Sequence, residues 1–129
     1  MARGKSVTGA GYASALHEVQ NIKGKLNSLM NEYDLLLTPT MAVPAFPVEQ
    51  FPTHIAGREV FPRWDYLPFT PVFNLSGQPA ASIPCGFSSD GMPIGLHIIG
   101  QWGQETTVMR AAYAFEQIRP WAQHRPDVS

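Results

Sequence analysis

Residues 69–100 read Phe69-Thr70-Pro71-Val72-Phe73-Asn74-Leu75-Ser76-Gly77-Gln78-Pro79-Ala80-Ala81-Ser82-Ile83-Pro84-Cys85-Gly86-Phe87-Ser88-Ser89-Asp90-Gly91-Met92-Pro93-Ile94-Gly95-Leu96-His97-Ile98-Ile99-Gly100. Two short apolar runs, Pro79 to Cys85 and Met92 to Ile99, flank Ser88-Ser89-Asp90-Gly91, whose Asp-Gly step signals a tight hairpin turn. The two runs should therefore pair antiparallel. If Asp90-Gly91 is a two-residue turn, Cys85 faces Leu96 and His97 faces Pro84, which puts thiol and imidazole on opposite faces of the pleat.

Working outward, Leu35-Leu36-Leu37 reads as a short strand buried on both faces, ended by Thr38-Pro39 because proline cannot donate to a ladder. Before it, Tyr12, Leu16, Val19, Ile22, Leu26, Leu29, Met30 and Tyr33 recur at mostly three- and four-residue spacings and draw one apolar stripe along a helix spanning about 12–33. After Gly100, a helix over about 105–119 carries the apolar face Val108, Ala111, Ala112, Phe115 and Ile118 and stops before Pro120. Between Met41 and Pro71, prolines and aromatics alternate with polar residues in neither period, which predicts a long ordered loop acting as a functional wall or lid. The expected fold class is α/β, a short mixed sheet with flanking helices in one domain over 1–129.

The chain of 129 residues is 44% hydrophobic and 15% charged, which places it in the globular class with a large apolar share. Its net charge of −1, with scattered basic residues, argues against nucleic acid and acidic membranes as partners. One cysteine excludes an intrachain disulfide framework, and the four histidines are too far apart for a helical His-x-x-x-His metal site. No signal peptide or spanning segment is readable, so the cytoplasm is expected, with no cofactor.

The glycine and proline spacing of residues 70–100 resembles the amidase signature family. Its pattern falls on Thr70, Asn74, Gly77, Pro79, Ala80, Ser82, Pro84, Gly86, Gly91, Pro93, Gly95 and Gly100. Tyr33-Asp34-Leu35-Leu36-Leu37-Thr38-Pro39-Thr40 is similar to the family's segment upstream, and Arg110 to Glu116 to its last helix. The resemblance implies amide hydrolysis by a serine, a second serine in a cis peptide and a lysine base. In that family these lie in an N-terminal half, within a Gly-Gly-Ser-Ser-Gly-Gly-like stretch that has no counterpart here. The expected role is thus the C-terminal portion of an amidase, giving scaffold and one pocket wall, with no catalytic residue of its own. A small amide would be a partner only together with an N-terminal catalytic half. The alternative is a non-enzymatic binding or interaction module.

The resemblance also points to Trp64, Tyr66, Leu67, Phe69 and Thr70 as the substrate-binding segment closing one side of the pocket. In the glutamine-dependent subunit of transamidation complexes an acidic residue stands three places before the equivalent of Thr70. Leu67 holds that place here, which favours apolar or aromatic amides, with Asp65 nearby as a substitute. The plainer reading is that these aromatics plug a core.

Other candidates have plain readings. Ser88-Ser89, the one tandem serine pair, precedes Asp-Gly rather than following a glycine-rich bend, so its hydroxyls should bond local backbone. Cys85 with His97 could mimic a thiol-imidazole dyad, but the expected register separates them. Glu105 and Glu116 read as a favourable first-turn charge and a solvated helix face. Strands this apolar, without sheet neighbours, would leave an edge at Leu35 to Leu37 or at Ile94 to Ile99 and favour a two-fold homodimer.

Overall fold

The structure is a computed structural model that describes residues 4, 6–61 and 64–125. In chain order its elements are α1 (Gly9–Met30), β1 (Leu35–Pro39), β2 (His54–Ile55), β3 (Arg58–Glu59), α2 (Pro71–Ser76), β4 (Ala80–Phe87), β5 (Pro93–Gly100) and α3 (Glu105–Ile118). The α/β class is as expected. Three strands form a sheet in the order β1-β5-β4, and β5 pairs antiparallel with both neighbours. The expectation of a mixed sheet is corrected in this respect. β1 and β4 do run parallel to each other, but β5 separates them, so no parallel ladder forms among the described strands. Ile94 to Ile99 is consequently not an edge, whereas β1 and β4 both are.

The β4–β5 hairpin departs from the expected register twice. Ser88 N–H donates to the Met92 carbonyl and Gly91 N–H to the Ser88 carbonyl, closing a three-residue loop with Gly91 at φ 81°. A turn followed by a left-handed residue is the usual three-residue solution, and glycine carries that φ without a Cβ penalty. A bulge then falls between Pro84 and Gly86, leaving Cys85 as the surplus residue. The observed pairs are Ile83 with Leu96 and Ser82 with His97, rather than Cys85 with Leu96 and Pro84 with His97. Each slip is one residue and the period of a strand is two, so together they preserve which face His97 occupies.

One sheet face packs on α3. Ile83, Ile98 and Val108 are buried there, with Leu35, Ala81, Leu96, Ala111, Ala112, Phe115 and Trp121 around them. A Cβ on Gly100 would sit 2.7 Å from Val108 Cγ2 and 3.3 Å from the Gln104 carbonyl, so the absent side chain is what lets α3 approach β5. Ile118, expected on this face, is 80% exposed. The helix ends there, and Trp121 takes the packing role beyond it.

The other face receives α2, whose Phe73 ring lies edge-on to His97 at 5.5 Å. Pro71 at the first helical turn and Gly77 in the left-handed region at φ 78° bound this helix, which the sequence reading, its long loop ending at Pro71, left unassigned. The loop also holds the β2–β3 hairpin, turned by Ala56 and Gly57 with φ of 49° and 75°.

α1 is capped by Thr8, whose Oγ1 accepts from Gly11 N–H at 3.1 Å in the usual N-cap contact. It ends three residues before Tyr33, which lies outside the helix, contrary to the expected stripe. Met30 is buried, and its carbonyl accepts from the Gln101 side-chain amide at 2.6 Å, tying the helix end to the end of β5. The stripe is unevenly covered: Val19, Ile22 and Leu26 are half-buried, whereas Tyr12 is 61% and Leu16 48% exposed, and Leu29 is exposed too. No helix among the described residues is long and apolar enough to cross a membrane.

Candidate functional site

The sheet face turned toward α2 is polar at its centre. β1 carries Thr38 to this face, and Thr40 follows directly after the strand; the middle strand supplies His97 and β4 supplies Ser82. Thr70, Phe73 and Asn74 come from α2 and its cap, and Gln78 from the link into β4. Thr40, Thr70, Phe73, Asn74, Gln78, Ala80, Ala81, Ser82 and His97 together line a cavity of about 260 Å³.

The hydroxyls of Thr40 and Ser82 lie 2.7 Å apart, on strands that flank β5. They meet over Gly95, where a Cβ would fall 2.6 Å from Thr40 Oγ1 and 2.8 Å from Ser82 Oγ. His97 is buried, and its Nδ1 lies 3.2 Å from Thr38 Oγ1. Thr38 Oγ1 also donates to the Pro39 carbonyl at 3.0 Å. A hydroxyl has one proton, so with that proton on Pro39 the neutral imidazole donates from Nδ1 and keeps Nε2 as an acceptor. Burial lowers the His97 pKa below its ordinary value and favours this neutral form.

Gln78 is only 6% exposed. Its Oε1 accepts from Ser76 Oγ at 2.7 Å, and Ser76 is itself buried. Its Nε2, by contrast, is buried without a hydrogen-bond partner among the described residues. An unpaired buried amide donor costs about 1–3 kcal/mol, so this is the most conspicuous polar group of the site. The sequence reading missed Gln78, His97 as a cavity wall and the Thr40–Ser82 bridge. The available signal was the resemblance motif itself, since Asn74, Ser82 and Gly95 are positions within it.

Of the residues expected to bind substrate, Thr70 alone lines this cavity. Tyr66 packs edge-on to Phe46 at 5.2 Å and stacks on Phe51 at 6.0 Å, within the loop. Leu67 and Phe69 are half-buried, while Trp64 is 65% exposed. Asp65 is engaged locally: its Oδ2 accepts from Phe61 N–H at 2.7 Å.

Cys85 does not meet His97. Its Sγ points to the Ile94 carbonyl at 3.4 Å, and it lines two cavities from which His97 is absent. Ser88 binds locally as expected, donating to the Met92 carbonyl, accepting from Met92 N–H and contacting Asp90 Oδ1. Glu105 lies in the first turn of α3 and is exposed; Glu116 is half-buried. Among the described residues no group of three His, Cys, Asp or Glu could hold a metal ion.

The family model for amidases matches residues 1–109. The chain belongs to the amidase signature family. Among its relatives, the acylamidase of Rhodococcus erythropolis is 40% identical over 101 residues, covering 77% of this chain and 21% of the relative. The 6-aminohexanoate-cyclic-dimer hydrolase of Paenarthrobacter ureafaciens is 34% identical over 134 residues, covering 98% of this chain and 27% of the relative. The solved structure of a bacterial aryl acylamidase of the amidase signature enzymes superposes with a TM-score of 0.82 at 30% identity, over 96% of this chain and 27% of that one. The chain therefore spans between about a fifth and about a quarter of the length of these relatives.

Proposed function

We propose that the chain acts as the C-terminal portion of an amide hydrolase, forming scaffold and one wall of the substrate pocket, with nucleophile and base supplied by an N-terminal catalytic portion. The observation that carries this is the polar cavity under α2. Its walls come from the family-motif positions Thr70, Asn74 and Ser82, yet no lysine lines it and no serine in it has a charged base beside it. Nucleophilic amide hydrolysis needs both within hydrogen-bond reach. The segment from Trp64 to Thr70 then forms the variable side of the pocket, and Leu67 favours substrates without an ammonium group.

The test mixes the purified chain with the N-terminal portion of an amidase signature enzyme that carries the serines and lysine, and follows a panel of aliphatic and aromatic amides. Turnover by the mixture and by neither part alone is the expected result. Robust turnover by the chain alone, lost in Cys85→Ala, would overturn it in favour of an independent thiol enzyme. The exposed apolar stripe of α1 favours a second reading, a non-enzymatic interaction module, for which no complementation would be seen.

A further inference from the structure

Beyond α3 the chain turns at Pro120 and comes back against the β4–β5 hairpin, leaving a groove between the two. Trp121 packs on the buried cluster of Ile83, Ile98 and Val108, and His124 N–H closes a turn onto the Trp121 carbonyl at 2.9 Å. The His124 ring then lies edge-on to Phe87, the last residue of β4, at 5.1 Å. Phe87, Met92, Pro93, Trp121, His124 and Arg125 line a cavity of about 540 Å³, within the ordinary range for small-molecule pockets. A second lobe of about 250 Å³ shares the Phe87, Trp121 and His124 walls and reaches Arg119.

The full charges lining this groove are of one sign. Arg125 Nε–H donates to the Ala122 carbonyl at 3.4 Å, and neither Arg125 nor Arg119 has an ion-pair partner among the described residues. No Asp or Glu lines either lobe. Asp90, next to Gly91, is contacted by Ser88 Oγ, and Glu116, a turn before Arg119, stands outside both lobes. The last carbonyls of α3 add a partial negative charge near Arg119, smaller than the full charge of either guanidinium. A carboxylate would meet a planar fork able to bind both its oxygens, whereas an ammonium would meet only like charge. The rest of the lining is apolar: Phe87 is 50% and Met92 37% exposed, so the fold leaves part of each open, and Trp121 adds a second aromatic wall. Such walls suit a flat apolar body.

We infer that this groove is an accessory site for a small aromatic carboxylate, its ring against Phe87 and Trp121 and its acid group held by Arg125. The site goes beyond the pocket-wall reading and needs no catalytic portion. It shares no lining residue with the polar cavity under α2, and it selects a charged acid over the corresponding neutral amide.

The experiment titrates the full chain with naphthoate, using naphthamide as the uncharged isostere, and follows ¹H–¹⁵N resonances of the Trp121 indole and the Arg125 side chain. Saturable shifts of both groups with naphthoate are expected, with naphthamide binding at least about fivefold more weakly. Arg125→Gln should weaken naphthoate by about fivefold and leave naphthamide unchanged. Arg125 is exposed, so this variant should keep the fold, and the comparison of acid with amide on the wild type stands without it. Equal affinity for acid and amide, a Trp121 indole that stays unmoved, or undiminished naphthoate binding by Arg125→Gln overturns the site. Shifts confined to the exposed indoles of Trp64 and Trp102 would mark nonspecific stacking and overturn it as well.

Discussion

Thr40 and Ser82 join their hydroxyls 2.7 Å apart over the backbone of Gly95, so the two edge strands of the sheet are bridged across the strand that separates them. Such a contact fixes the height of the polar cavity floor. It exists only because the middle strand has no side chain at that point, where a Cβ would lie 2.6 Å from one hydroxyl oxygen and 2.8 Å from the other.

Gly95→Ala is therefore expected to push Thr40 aside and break the bridge. Overpacking of this size costs about 1–3 kcal/mol, and the lost hydrogen bond lies within that range. Urea unfolding should show a lower midpoint with an unchanged slope. An unshifted midpoint would mean the bridge contributes nothing to the fold.

His97 gives the fold a pH dependence of known sign. Its folded pKa is lowered by burial, while in the unfolded chain it keeps the ordinary value of 6.5. Between the folded value and 6.5 the unfolded chain binds more protons, so stability is complete above that window, falls as pH drops through it and levels off below the folded pKa. His97→Gln should flatten this part of the stability profile relative to the wild type. An identical slope in both proteins would show that the imidazole is not held neutral by the fold.

Leu67 offers a test of specificity in a complemented enzyme. Leu67→Asp should raise kcat/KM for amides with a free α-amino group relative to those without, by about tenfold if the carboxylate reaches the ammonium. Glutamine as the best substrate of the unsubstituted protein would remove Leu67 from the pocket.

A dimer is expected of the isolated chain. Leu37 on β1 is 55% exposed, the outer edges of β1 and β4 pair with no other described strand, and α1 presents Tyr12, Leu16 and Leu29 to solvent. Pairing through an open edge in a two-fold dimer would cover such surfaces. Sedimentation equilibrium should show concentration-dependent dimers, and Leu37→Lys should weaken them. A monomer at all concentrations would contradict this.

Much of the fold was legible because it is periodic. The stripe of α1, the Asp-Gly turn and the apolar face of α3 located three of the main elements, and Leu35 to Leu37 a fourth. What failed was local and aperiodic. α2 is too short for a period, and only Thr70-Pro71 and Gly77 announce it. The bulge at Cys85 leaves no mark in the alternation of side chains. The site was hardest to read because Thr40, Ser82 and His97 are far apart in sequence and are brought together by register alone, which the turn and the bulge decide between them. The loop segment from Trp64 to Phe69 stood out through its aromatics, whereas the group with the least satisfied chemistry, Gln78, looked like an ordinary residue between a glycine and a proline.

The bulge also sets where this stretch of chain can change length. On either side of Cys85 the ladder is continuous, with Pro84 opposite Gly95 and Gly86 opposite Ile94. Excision of residue 85 would leave all of those pairings available and merely close the gap, whereas excision of Ser82 or Ile83 would take away the hydroxyl that meets Thr40 or a buried side chain of the α3 interface. Position 85 is thus the point in the hairpin at which an insertion or deletion drifts most freely, and a cysteine sits there as a passenger of the geometry rather than its cause.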